Sequence, residues 1–327
     1  MNRNFYGRKS TIPLSNKILL VASLVCLVAA VVVFIFFNNY QKKKNNNEAT
    51  LNASPTLTVQ TPEPTSEIVL DPIIPSEMKI GTRFNPPAGY TRTTVSSGTF
   101  GDYLRNFTLR EYATKPLVYD SETKTLINYE AAPAVSVLAL DLINKGNLQQ
   151  SSDSVIRLYG EYLYSQGRYN DISFKLLTTP IFTCDFKTWS EGGRLLIDGN
   201  QISWCTEHGE NCSHKDVELG TSAGTFRYYL QNVMTYSDTS SLITNMNKVS
   251  AQDMQIGDVI VYADASESPS VIVDMAESSD GSKLYIMARG GSPASEIYIV
   301  RNTSNFDINP WHNPADLPVG ATVYRFK

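Results

Sequence analysis

Residues 18–37 form one uninterrupted apolar run of twenty residues, in which Ser23 is the only hydroxyl, Cys26 the only thiol and nothing is charged. At the helical rise of about 1.5 Å per residue, such a run is roughly 30 Å long, the thickness of a bilayer's hydrocarbon core. It predicts a single transmembrane helix, which holds the rest of the chain beside a membrane. The run is longer than the apolar core of a signal peptide, about 7–15 residues, and lacks the small-residue cleavage stretch that should follow one. The chain instead continues Phe37-Asn38-Asn39-Tyr40, and Cys26 follows Val25 rather than the small residue a lipoprotein cysteine needs. An uncleaved anchor is expected. Arg3, Arg8, Lys9 and Lys17 precede it and Lys42, Lys43 and Lys44 follow it, a narrow margin favouring a cytoplasmic N-terminus.

Four segments follow from this reading: a short basic cytoplasmic tail (1–17), the membrane helix (18–37), a disordered stalk (38–78) and a globular domain (79–327). The stalk is rich in Asn, Thr, Ser and Pro and has too little apolar surface to offset its ordering entropy. Anchor, stalk and C-terminal domain together predict a domain outside the cell. Its length of about 250 residues suits one large core. All seven bases of the first 44 residues precede the first acid, which leaves 21 bases against 32 acids, a net −11, for the remainder. That balance excludes a nucleic-acid partner and disfavours anionic wall polymers unless divalent cations bridge them.

Apolar spacing predicts helices over residues 99–107, 148–165 (ended by Gly167) and 225–236, and a hairpin of 194–197 and 201–204 around Asp198-Gly199-Asn200. Strands are predicted at 116–120, 134–141, 172–177, 259–262, 271–275, 283–288, 296–300 and 322–326. Helices followed by a strand-rich C-terminal half indicate an α+β domain.

Several motifs stand in a fixed order: Phe100-Gly-Asp-Tyr-Leu-Arg105, the helix beginning Leu148-Gln-Gln-Ser-Ser-Asp153, then Trp189, Gly192 and Arg194, then Gly257-Asp-Val-Ile-Val-Tyr262 and Pro269-Ser-Val-Ile-Val-Asp-Met-Ala276. In that order they resemble a bacterial domain family of unknown function, number 4846, found in exported and lipoprotein-like chains. More distantly they are similar to papain-like cell-wall peptidases and amidases. The resemblance implies a papain-like domain: a helix bearing the nucleophile position, packed on an antiparallel sheet. There a helix N-terminus and an imidazole stabilise a thiolate. In this chain Ser151 stands at the cysteine position, Ser268 at the histidine position, and Arg289 where the next strand carries glutamine. A serine without a base is a poor nucleophile, so the resemblance implies a degenerate site. Ser151 and Ser152 also read as a helix cap. Asp153, Asp258 and Asp274 are pocket candidates, and Arg289 could hold a carboxylate or oxyanion.

Cys205, His208, Cys212 and His214 fall within ten residues. The set suits tetrahedral zinc in ligand type, but its spacing matches no common zinc module. A Cys205–Cys212 disulfide is the preferred reading for an external domain, with Cys184 a buried thiol or a competing partner. His312 reads as a packing or turn residue. The expectation is a non-catalytic, membrane-anchored domain binding peptidoglycan or an envelope protein, with no cofactor and no metal. The alternative is an active cell-envelope hydrolase or amidase with non-standard catalytic residues.

Overall fold

Short runs of β-branched and aliphatic residues, too brief for helices, make the centre of the molecule. In β11 (Ser270–Ser278) and β12 (Lys283–Arg289) every residue of 270–276 and 284–288 is buried, as in strands covered on both faces. The computed structural model describes residues 71–205, 219–263 and 267–327. The apolar run, most of the stalk and residues 206–218 of the Cys/His cluster lie outside the described residues. Among the described residues no helix is long and apolar enough to cross a membrane.

The main sheet has the order β4 (Ala134–Val137), β13 (Tyr298–Val300), β12, β11, β10 (Val259–Val261), β14 (Thr322–Phe326), β9 (Met246–Val249), and β1 (Tyr90–Arg92) pairs with the end of β11. All its ladders are antiparallel, with Val271 opposite Ala288 and Val259 opposite Tyr324. Three two-stranded hairpins surround it: β2–β3 (Leu117–Asp120, Thr125–Asn128), β5–β6 (Ser173–Leu176, Phe182–Asp185) and β7–β8 (Arg194–Asp198, Gln201–Cys205). In the last, Asp198 pairs with Gln201 across a two-residue Gly199-Asn200 loop, and Gly199 supplies the positive φ of 55° that such a turn requires.

The helices are α1 (Ile80–Arg83), α2 (Phe100–Arg105), α3 (Ser152–Ser165), α4 (Phe186–Ser190), α5 (Ala223–Thr235) and α6 (Thr239–Thr244). α3 is buried nearly all round and packs on α5, where Gly160 lets Leu230 and Phe226 approach: a Cβ there would lie 3.2 Å from Leu230 Cδ2. It ends as expected, with Gln166 as cap and Gly167 at φ 66°, a left-handed stop. Its start falls four residues later than the apolar spacing predicts, because Ser151 has φ 41° and ψ −106°. This mixture of helices and antiparallel sheet is the α+β class expected. Pairing begins slightly before residue 79, with Ile73 bridging to Phe84.

Asp274 locks these layers. Its side chain is fully buried, and Arg92 Nε and Arg105 Nε donate to its two oxygens at 2.7 and 2.8 Å. Arg92 lies on β1 and Arg105 ends α2, so one carboxylate ties both to β11. The β11–β12 register slips between Ile272 and Asp274, and such a bulge re-aims the side chains that follow it. Asp274→Asn is expected to destabilise the domain by about 3 kcal/mol, the lower end for a broken buried pair because both arginines keep some exposure. Denaturant unfolding of the full-length protein in detergent, followed by near-UV circular dichroism, measures it; an unchanged midpoint would remove Asp274 from this role.

Candidate ligand groove and the helix terminus

Three of the sequence motifs meet in one place. α2 contributes Phe100 and Gly101, α3 contributes Tyr159 and Tyr162, and the Gly257-Asp258 turn leads into β10. Together with Arg325 and Phe326 of β14 they line a groove of about 580 Å³. The fit demands glycine at 257: its φ is 95° and a Cβ would lie 2.9 Å from Phe100 Cδ1, a conformation and a spacing that other residues tolerate poorly. The Tyr159 and Phe326 rings stack at 3.8 Å and 3°, and Phe100 meets Tyr159 edge-on and Tyr162 at a tilt. Asp258 is fully buried and takes both Nε and Nη2 of Arg325 at 2.7 and 2.8 Å, a bidentate pair. It also accepts the Gln255 amide. Asp258 thus stands at the groove, while Asp274 is structural.

Ser151 and Ser268 lie at another part of the sheet. Ser151 N–H donates to Gly291 O just beyond β12, and Ser268 sits two residues before β11, where its carbonyl accepts from Ser270. The Ser151 side chain makes no capping bond, which corrects its reading as a helix cap. The surroundings are tight: a Cβ on Gly290 would lie 2.0 Å from Ser154 Oγ. Ser292 Oγ donates to Gln150 Oε1 at 2.7 Å. Asp153 is buried below Ser151, accepting the Gln150 amide through Oδ2, while its Oδ1 and Ser154 Oγ find no partner. Desolvation pushes the Asp153 carboxyl up to about 8, opposed by the Gln150 bond and reinforced by Asp238, so near neutrality the group is largely protonated.

Arg289 points elsewhere, to Glu267 and Tyr298, in a cavity of about 330 Å³ that also contains His312 and Tyr285. His312 exchanges backbone hydrogen bonds with Tyr285, its ring stacks on that tyrosine, and its Nε2 lies 3.3 Å from Val300 O. Burial holds its pKa below the usual value. This is a packing histidine. Trp189 and Arg194 are structural too: the guanidinium lies 4.5 Å from the indole centroid and donates to the Trp189 carbonyl.

Cys205 is disulfide-bonded, and its partner lies outside the described residues. Cys184 is a free, buried thiol that desolvation holds well above its ordinary pKa, so it is not that partner. His208, Cys212 and His214 lie outside the described residues, among which no cluster suited to a metal occurs.

Helices beside an antiparallel sheet define an α+β domain. Residues 80–327 match the family described as Domain of unknown function (4846), and the chain belongs to that family. No curated protein and no solved structure gives a significant match.

Asp258, one of the pocket candidates, lines this groove. Phe100, Tyr159 and Tyr162 belong to two predicted helices, and nothing in the spacing links them to Phe326, more than 160 residues away. The raised Asp153 gives a pH test. Its folded pKa exceeds its unfolded value of 3.8, so the stability tied to this proton is full below about pH 4, declines as pH rises and is lost near pH 8. The melting temperature of the wild type relative to Asp153→Asn is therefore expected to fall steadily over that window. A constant difference would refute the buried protonated carboxyl.

Proposed function

We propose that this chain is a single-pass membrane protein whose C-terminal domain lies outside the cell and binds a cell-wall or envelope-protein ligand without cleaving it. The apolar run of residues 18–37 and the Asn/Thr/Pro-rich stretch after it support the placement. The finer reading of the fold is papain-like, supported by the way α3 sets its first residues against the end of β12 through the Ser151–Gly291 bond. In that reading Ser151 occupies the nucleophile position, Ser268 the base position, and the site is degenerate.

One observation carries the non-catalytic reading. Ser151 Oγ makes no capping hydrogen bond, and His312, the histidine among the described residues, is packed against Tyr285 with its Nε2 at Val300 O. A hydroxyl without a base remains protonated near neutral pH and attacks poorly. The groove of about 580 Å³ falls in the size range of ligand sites, roughly 300–1,000 Å³, and is where a ligand is held. The Cys205 disulfide, read as Cys205–Cys212, agrees with an oxidising exterior.

A second reading, an active hydrolase or amidase, draws on the backbone of Ser151. Its φ of 41° and ψ of −106° are sparsely populated for a non-glycine residue, and such strain gathers at functional sites. Incubation of the full-length protein in detergent with purified peptidoglycan separates the two. Co-sedimentation without new amino or reducing ends is the expected result. New ends abolished by Ser151→Ala would establish the hydrolase, and new ends surviving that change would place the chemistry elsewhere. Neither binding nor cleavage would exclude the wall and leave an envelope protein as the ligand.

A further inference from the structure

We propose that the groove between α2, α3 and β14 binds an acidic saccharide, one or two carboxylate-bearing rings in length; this rests on the binding-domain reading above. Charge is the first ground. The groove is lined by four bases and two acids, Arg168, Lys283, Arg325 and Lys327 against Asp258 and Glu277. The chain beyond residue 44 has the opposite balance, 21 bases to 32 acids. A locally positive cleft in an acidic domain selects an anion. Asp258 does not oppose one, because Arg325 already holds both its oxygens.

Spare donors are the second ground. Lys283 Nζ donates to Gln252 O at 3.1 Å and Lys327 Nζ to Thr244 O at 3.0 Å. Neither ammonium has a carboxylate within ion-pair distance among the described residues. An ammonium carries three donors, so each lysine keeps hydrogen-bonding capacity for a ligand carboxylate, and charge-assisted bonds of that kind are the strong ones.

The walls supply the third. Phe100, Tyr159 and Phe326 are each only partly buried, so ring surface faces the cleft. Apolar ring faces suit the C–H face of a pyranose. The lining also includes Thr94 and Ser96, whose hydroxyls can both donate and accept and so suit sugar hydroxyls, while the Thr93 and Thr99 hydroxyls are held by Met275 O and Ser96 O. A bound peptide would instead call for deep apolar subsites.

The test titrates full-length protein in detergent with trigalacturonate by calorimetry, beside maltotriose and triglutamate. Trigalacturonate is expected to bind at least about tenfold more tightly than either, and Lys283→Gln with Lys327→Gln to weaken it by about tenfold or more with the melting temperature unchanged. Tyr159→Ala is the second variant and should weaken trigalacturonate while leaving its salt dependence intact. Equal affinity for maltotriose, tighter binding of triglutamate, no binding of trigalacturonate, or an unaffected double lysine variant would each overturn the proposal. Wall co-sedimentation that trigalacturonate fails to compete would overturn it and leave the binding-domain reading standing. Wall cleavage would overturn that reading whatever the titration gave.

Discussion

Two fully buried carboxylates, one on β11 and one just ahead of β10, hold this domain together, and each is neutralised from a distant part of the chain. Asp274 of β11 takes Arg92 and Arg105, and Asp258, ahead of β10, takes Arg325. A buried carboxylate alone is costly, so each arginine is fixed where it stands. The first pair docks β1 and α2 on the sheet. The second fixes β14 beside β10, and the residue after Arg325 is Phe326, whose ring then stacks on Tyr159. The two ion-pair systems thus fix α2 and β14 on the sheet, and the Tyr159–Phe326 stack sets α3 beside β14.

The α3 terminus obeys a different constraint. Hydrogen bonding from Ser151 N–H to Gly291 O and from Asp153 N–H to Gln150 O makes the chain turn sharply before the helix, and Ser151 absorbs that turn in its backbone. Gly290 is needed because Ser154 presses against it.

Elements whose signal was local were legible in the sequence. The β7–β8 hairpin follows from Asp198-Gly199-Asn200 and the end of α3 from Gly167. What was illegible depended on distant partners. The sequence reading ended β11 at Met275, but the strand runs on to Ser278 because β1 pairs with that end, and β1 has only three residues with no periodicity of its own. The helix starts later than Leu148 suggests because a tertiary bond from Ser151 N–H to Gly291 O sets the backbone there. Asp258 stands out in the sequence through its motif, yet its partner Arg325 is 67 positions away with no signal that links them.

Charge shows why composition misleads about ligands. A net of −11 over residues 45–327 argues against acidic wall polymers only if the charge is spread evenly. Screening limits the reach of surface charge to about 8–10 Å at physiological salt, so a ligand inside a cleft responds to the groups lining it rather than to the total. In the groove those groups are two lysines without carboxylate partners at ion-pair distance, Glu277 across the ladder from one of them, a neutralised Asp258–Arg325 pair, and Arg168 held by Asp171. An acidic surround can then work with the cleft instead of against it: anionic segments are turned away from the outer surface and gain only where the lysines stand. Selectivity of that kind depends on local arrangement, which residue totals do not record.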